Sequence, residues 1–504
     1  MTMTTASLWA CFILAGSLQL GFGSDQLLSK STDVDSDTEQ PSSGSAQIIP
    51  SVTGDPNPLF LTPYIQKCAY DEAKNKSIVK LFKDYGIDAY SGYITVNDTT
   101  NSSLFFVFVE AQEKDSSTPL LLWTPGGPGL SALFSLLLQN GPLAFNDTQF
   151  TEQYLVKGPA AFLDYPFFRR NLTIQNAASV IYLDAPVGAG FSFTDSIDGY
   201  PKKLEDVTKD IIEFLKQFLN LFQDYKNRTF YAGGDSYAAR YSVALAREML
   251  SNPSAEVPLQ LEGVIGGNGF LGPIYDIADS SDFLYEVSML TEKDRQTFKE
   301  RFAQIKYFAP KNSSIALGLL NSAILYDQPT LFENLTMYKS HASPLYTERP
   351  PIMVHCFVYA NYSVPFKIAI HAGANATLQY PNPSLLKIFI MDWLENIDSQ
   401  VEYVLNKTSV LLYSGQLDTL FPAVNQEAYL QTLNWSHAEQ YREAERHEWK
   451  PNKDYYGAAG FGKSAESLNS VVLIGMGHYA GFDKPDEVYY LITQFLEAKK
   501  EALC

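Results

Sequence analysis

Ser236, Asp418 and His478 are the residues whose types and settings point to activation of a hydroxyl as a nucleophile. Ser236 stands in Gly234-Asp235-Ser236-Tyr237-Ala238, after the β-prone run Thr229-Phe230-Tyr231-Ala232-Gly233 and before a helical pattern from Arg240 to Met249. Strand, sharp turn and helix, with serine at the apex, is the setting in which a serine hydroxyl is held exposed for attack. Small residues at Gly234 and Ala238 let such a turn close, and the helix N-terminus adds partial positive charge beside the hydroxyl. Taken alone, the motif also fits an ordinary serine cap of a helix. Two later segments supply what the hydroxyl needs. Asp418 follows the apolar run Val410 to Tyr413, and His478 follows Ser470 to Ile474, so an acid and a base each occupy a loop at a strand's end. His341, His355, His371, His437 and His447 lack that setting and read as packing or surface residues. No His/Cys/Asp spacing resembles a ligand set, so neither a metal nor a cofactor is expected.

The elements that must position these residues are short apolar runs alternating with a helical pattern. Leu104 to Val109, Leu120 to Trp123, Ser179 to Leu183 and Leu261 to Ile265 read as buried strands, and Leu204 to Phe222 carries apolar residues at helical spacing. Alternation of this kind predicts an α/β fold with a mostly parallel sheet covered on both faces. Residues 274–385 interrupt it with helical, Tyr-rich sequence before the strand pattern resumes. The expected organisation is a signal at 1–23, a disordered leader or propeptide at 24–57, a core in two parts at 58–273 and 386–504, and an insertion at 274–385.

The chain has 504 residues, with 37 Lys+Arg against 56 Asp+Glu, for a net charge of −19. With no basic cluster to offset that excess, nucleic acid is excluded as a partner. Leu8 to Leu20 is apolar and is followed by Gly21-Phe22-Gly23-Ser24, as in a secretory signal, although no Lys or Arg precedes it. The run is shorter than the ~18–20 residues of a membrane span, so the mature protein is expected to carry none. Twelve Asn-x-Ser/Thr sequons occur, at Asn75, Asn97, Asn101, Asn146, Asn171, Asn227, Asn312, Asn334, Asn361, Asn375, Asn406 and Asn434. Chance gives about three or four, so a glycoprotein of the secretory pathway is expected. Beyond the signal, Cys68, Cys356 and Cys504 allow one disulfide within the chain. Cys68 with Cys356 is the preferred pair and three unpaired thiols the alternative.

From Pro58-Leu59-Phe60-Leu61-Thr62-Pro63-Tyr64-Ile65 nearly to the end, the sequence resembles the serine carboxypeptidases, most of all their animal vitellogenic-carboxypeptidase-like branch. The matches include Ser91-Gly92-Tyr93, Gly126-Gly127-Pro128-Gly129, Asp184-Ala185-Pro186-Val187-Gly188-Ala189-Gly190-Phe191-Ser192-Phe193 and Gly267-Asn268-Gly269, besides the segments around Ser236, Asp418 and His478. The resemblance implies an α/β-hydrolase fold whose inserted cap overhangs the serine, and removal of C-terminal residues from peptide or protein substrates. It implies Ser236 as nucleophile, His478 as base and later acid, and Asp418 as the residue orienting the imidazole. The backbone N–H groups of Gly127 and Tyr237 would form the oxyanion hole. It implies a secreted, lysosomal or vacuolar glycoprotein, and a homodimer is compatible with it.

The same resemblance exposes departures. Where the family binds the substrate's terminal carboxylate through an Asn and two Glu, this sequence holds Pro125, Asp235 and Gln139, beside Gly126. Pro125 has no N–H to donate. Gln139 is neutral at any pH, so Asp235 would lack a carboxyl neighbour, stay ionised and repel a terminal carboxylate. Weak binding of free-acid peptides and a less acid-restricted pH profile follow as expectations. Ala239 and Tyr479-Ala480-Gly481 also depart from the family pattern. The dense Tyr and Phe of 274–385 lead us to expect an apolar pocket favouring bulky hydrophobic side chains. A related serine hydrolase or acyltransferase, and a binding or storage glycoprotein of the same fold, stay open as alternatives.

Overall fold

Side chains that alternate between two buried faces build the centre of the molecule. In β3 (Leu120–Thr124), Leu120 and Leu122 enter one apolar cluster while Leu121 and Trp123 enter the other. The computed structural model describes residues 54–254, 256–325, 329–379 and 382–502. The expected signal, most of the leader and Cys504 lie outside them.

Before β3 run β1 (Ala89–Asn97) and β2 (Ser102–Val109). After it come β4 (Leu143–Phe145), β5 (Phe167–Arg169), β6 (Ser179–Leu183), β7 (Thr229–Asp235) and β8 (Gln260–Gly267). The last four are β9 (Ser409–Gly415), β10 (His447–Trp449), β11 (Gly460–Ala465) and β12 (Leu468–Leu473). Among the described residues, ten of these form one sheet in the order β1-β2-β6-β3-β7-β8-β9-β12-β11-β10, and β4 pairs with β5 apart from it. The six strands from β6 to β12 in that order are parallel, and antiparallel pairs complete both edges. The carboxyl ends of β7, β9 and β12 therefore open on the same edge.

Helix Leu204–Leu221 covers one face, setting Phe214 and Phe218 against Phe106 and Phe108 of β2. Helix Ala238–Ser251 lies on the same face, and the C-terminal helix from Pro485 covers the other through Val488, Leu491 and Ile492. Between β8 and β9 the chain runs through helices that include Glu292–Phe308, Ser313–Ile324 and Pro351–Tyr362.

The preferred disulfide is not formed. Cys68 is an exposed thiol that accepts a hydrogen bond from Tyr70 Oη at 3.6 Å, whereas Cys356 is buried in helix Pro351–Tyr362, and each is free. Spacing in the sequence could not reveal that helix packing buries one thiol and leaves the other in water. Residues 54–57, read as part of the leader, are placed, with the Ala374 N–H donating to the Pro56 carbonyl at 2.8 Å. Of the twelve sequon asparagines, ten are exposed, and Asn146 and Asn361 are half-buried. No helix among the described residues is long and apolar enough to cross a membrane.

One acid in helix Leu204–Leu221 is set against the fold. Burial, aggravated by Asp206 one turn earlier, pushes the Asp210 carboxyl up to about 7. A carboxyl whose folded pKa lies above its unfolded value adds stability at low pH that is lost as the pH rises from about 4 to about 7. Asp210→Asn is therefore expected to raise the denaturation midpoint at pH 8 and leave it nearly unchanged at pH 4. Equal shifts at both pH values would show that the carboxyl does not titrate in this range.

Candidate active site

At the end of β7 the chain is forced into a left-handed turn. Ser236 has φ 58°, a conformation a residue with a Cβ holds only when its surroundings fix it. Those surroundings are specific. The Ser236 N–H donates to the Gly267 carbonyl at 2.7 Å, and the Ser236 carbonyl accepts from the Phe270 N–H at 3.2 Å. A Cβ at Gly234 would lie 2.7 Å from the Ala238 Cβ, so the turn closes only with small residues there. Gly126 is pressed as closely, since a Cβ on it would stand 2.7 Å from the Ser236 Cβ and 3.0 Å from the Tyr237 nitrogen. Gly127 follows at φ 124°, leaving bare backbone beside the serine.

The three residues singled out first meet here. His478 Nε2 lies 2.9 Å from Ser236 Oγ, and Nδ1 lies 2.8 Å from Asp418 Oδ2. Asp418 Oδ1 accepts from the Leu420 and Phe421 N–H groups, each at 2.9 Å, which fixes the carboxylate and turns Oδ2 toward the imidazole. Because a carboxylate only accepts, Nδ1 carries the proton and Nε2 is left to accept from the serine hydroxyl. Asp418 is fully buried and the imidazole nearly so, with Phe421 and Tyr479 edge-on to its ring.

The loops bearing Asp418 and His478 are tied together by Asn268, a buried residue just beyond β8 whose role was not foreseen. Its Oδ1 accepts from the Gly415 N–H at 2.6 Å, and its Nδ2 donates to the His478 carbonyl at 2.7 Å. Gly267-Asn268-Gly269 was legible as a motif, but the two loops it joins are far away in sequence. The Asp483 carboxylate closes the His478 loop on itself, accepting from the Gly477 N–H at 2.7 Å.

Pro125, Gly126, Gly127, Gln139, Asp235, Ser236 and His478 all line one pocket, so the expected carboxylate-binding positions and the serine share a cavity. Its apolar wall includes Leu130, Phe134, Ile324, Leu325, Trp393, Leu420 and Tyr479. The wall is largely apolar, as expected, but for another reason. Among the described residues no Tyr or Phe of 274–385 lines it; the rings come from Phe134, Trp393 and Tyr479. His341, grouped above with packing and surface histidines, lines it too. The segment carrying it folds back onto the site, a placement that no local pattern encodes.

The expectation for Asp235 also needs correction. Burial pushes its carboxyl up to about 6, against the Tyr413 hydroxyl that donates to Oδ1 at 3.1 Å and the nearby His478, Gln139 and Trp123. A second carboxyl is not required to make it titrate, because desolvation alone disfavours the charge. Gly267 makes room for this contact, since a Cβ there would collide with both Asp235 Oδ1 and Tyr413. Among the described residues no group of three or more His, Cys, Asp and Glu could hold a metal ion.

Comparison with known proteins decides the family. The family model described as serine carboxypeptidase matches residues 82–498. The chain belongs to the serine carboxypeptidase family. Within that family it is 32% identical over 449 residues to a probable serine carboxypeptidase, CPVL, of Homo sapiens, covering 88% of this chain and 90% of that one. It is 30% identical over 447 residues to the venom serine carboxypeptidase of Apis mellifera, covering 88% and 91%. Among solved structures, the prohormone-processing carboxypeptidase Kex1(Δ)p of Saccharomyces cerevisiae superposes with a TM-score of 0.66 at 17% identity, covering 82% of this chain and 92% of that one. That likeness bears out the α/β-hydrolase-like fold, and the resemblance read from the motifs is borne out by the family match.

Proposed function

We propose that this member of the family hydrolyses the C-terminal peptide bond of its substrates through an acyl-enzyme on Ser236. The observation that carries the reading is a Ser236–His478–Asp418 hydrogen-bond chain opening into a pocket that also holds Asp235 and Gln139. His478 takes the serine proton through Nε2 as the hydroxyl attacks the carbonyl, and returns it to the leaving amine. Asp418 keeps Nδ1 protonated and stabilises the charged imidazole. The N–H groups of Gly127 and Tyr237 face the developing oxyanion, each donor contributing about 3 kcal/mol. Water then attacks the acyl carbonyl with His478 again as base. Residues 274–385 act as the cap, and the polar leader, the signal and the sequons belong to a glycoprotein of the secretory pathway.

Asp235 and Gln139 take the place of a carboxyl pair in holding the substrate's terminal carboxylate. Below about pH 6 the Asp235 carboxyl is neutral and can donate to that carboxylate; above it, the ionised form repels. For a free-acid peptide, kcat/KM is therefore expected to fall as the pH rises through about 6, relative to the same peptide as its C-terminal amide. Gln139→Glu sets a like charge beside Asp235, raises its pKa further and moves the fall to higher pH. The measurement is kcat/KM for the acid and the amide across pH 4.5–8. Indistinguishable acid and amide profiles would remove Asp235 from carboxylate recognition, and cleavage of the amide alone would remove the carboxypeptidase reading.

A further inference from the structure

Ser135, His341 and Tyr479 are polar side chains of the pocket lining to which the reaction assigns nothing. Ser236 and His478 are committed to one another, and Asp235 and Gln139 stand together at the expected carboxylate end. Among those left over is His341. Its backbone is clamped against both catalytic loops: its carbonyl accepts from Thr419 Oγ1 at 2.6 Å, next to Asp418, and the Ala342 carbonyl accepts from the His478 N–H at 2.7 Å. Phe332 stands edge-on to its ring, with centroids 6.0 Å apart. A side chain on so constrained a backbone has a defined position relative to the scissile bond.

Among the described residues neither ring nitrogen of His341 has a hydrogen-bond partner, and neither is a sealed, buried orphan. The side chain that carries them lines the cavity. Burial, with the nearby His478 and Arg349, depresses the imidazole to about 3, so it is neutral wherever an acid-tolerant hydrolase works. A neutral imidazole offers one N–H donor and one acceptor. The same pocket is lined by apolar side chains, among them Leu130, Ile324, Leu325 and Leu420. A substrate group with nothing polar to offer leaves that donor and acceptor desolvated and unpaired, whereas a hydroxyl or amide satisfies one of them.

We propose that His341 is a specificity-determining residue that hydrogen-bonds a hydroxyl or amide group on a substrate side chain flanking the scissile bond. Preferred peptides carry an apolar side chain ending in such a group, Tyr over Phe and Thr over Val. The proposal rests on the carboxypeptidase reading of the site and adds the chemistry of the side chain recognised.

The test uses the full-length protein and two series of N-blocked free-acid peptides, one varied at the C-terminal residue and one at the residue before it, with Phe/Tyr and Val/Thr pairs. In one series the natural protein should favour the hydroxyl-bearing member about five- to tenfold in kcat/KM. His341→Leu should bring that ratio to one or below, and His341→Gln, which keeps a donor and an acceptor, should retain the preference. Labelling of Ser236 by a fluorophosphonate probe in each variant shows that the site is assembled. Unchanged ratios in His341→Leu overturn the proposal, as does an equal fall of kcat on both members of a pair, which would make His341 a support for His478. If the natural protein cleaves none of these peptides while taking the fluorophosphonate label, the carboxypeptidase reading fails, and the inference with it.

Discussion

Ser236→Ala and His478→Ala should each lower kcat on a peptide substrate by about 10⁶-fold, and the double variant should be no worse than either. Non-additivity follows from the geometry. Ser236 Oγ has His478 Nε2 at 2.9 Å as its route for the proton, so without the imidazole the hydroxyl stays protonated, and without the hydroxyl the imidazole has nothing to activate. Asp418→Asn should be less severe, about 10⁴-fold. The Leu420 and Phe421 N–H groups would keep the amide oxygen on their side and turn its NH₂ toward Nδ1. The imidazole would then carry its proton on Nε2 and could not accept one from the serine. Fluorophosphonate labelling should be lost in Ser236→Ala, while yield and denaturation midpoint stay close to those of the natural protein. Full turnover by purified Ser236→Ala would place the nucleophile elsewhere.

These three residues were legible because each lies just past a strand, where period-two apolar runs and small-residue turns leave a local signature. Ser179 to Leu183 coincides with β6, and Leu104 to Val109 differs from β2 only by two added residues at its start. The edge strands were not foreseen. β1 is nine residues long, yet Ala89, Ser91 and Gly92 dilute its apolar pattern, β10 lies exposed or half-exposed at the rim, and the buried positions of β11 are the small residues Gly460, Gly462 and Ala465. Asp235 was misjudged because its titration depends on burial among neighbours from two other strands, a helical turn and a loop, a quantity no motif contains. His341 and Asn268 were missed for the same reason. Each acts through partners brought near only when the sheet is assembled.

The residue after the nucleophile rests on a contact of this kind, and breaking it should give the largest loss of stability of any single charge removal near the site. Arg240, one turn into the helix that follows Ser236, is fully buried with its Nε 3.4 Å from Asp392 Oδ2. Its Nη2 donates to the Glu395 carbonyl at 2.9 Å and to the Asp392 carbonyl at 3.2 Å, and the guanidinium lies 4.7 Å from the Phe270 ring centroid. Asp392 in turn accepts from the Tyr237 hydroxyl and, at 3.1 Å, from the Leu204 N–H. Arg240→Met leaves the buried carboxylate without its cation, and Asp392→Leu leaves the guanidinium without its anion, so each should lower the unfolding free energy by about 3–5 kcal/mol. The double variant removes both charges and should recover most of that loss, since a buried pair stabilises little beyond a well-packed apolar replacement. Denaturant titration of the four proteins closes the cycle, with a coupling energy of several kcal/mol expected. Because Asp392 holds the Tyr237 side chain, and the Tyr237 N–H is the proposed oxyanion donor, kcat should fall in Asp392→Leu even under conditions where that variant is fully folded. Simple additivity of the two losses would mean that the guanidinium and the carboxylate are stabilised by their other partners and not by each other.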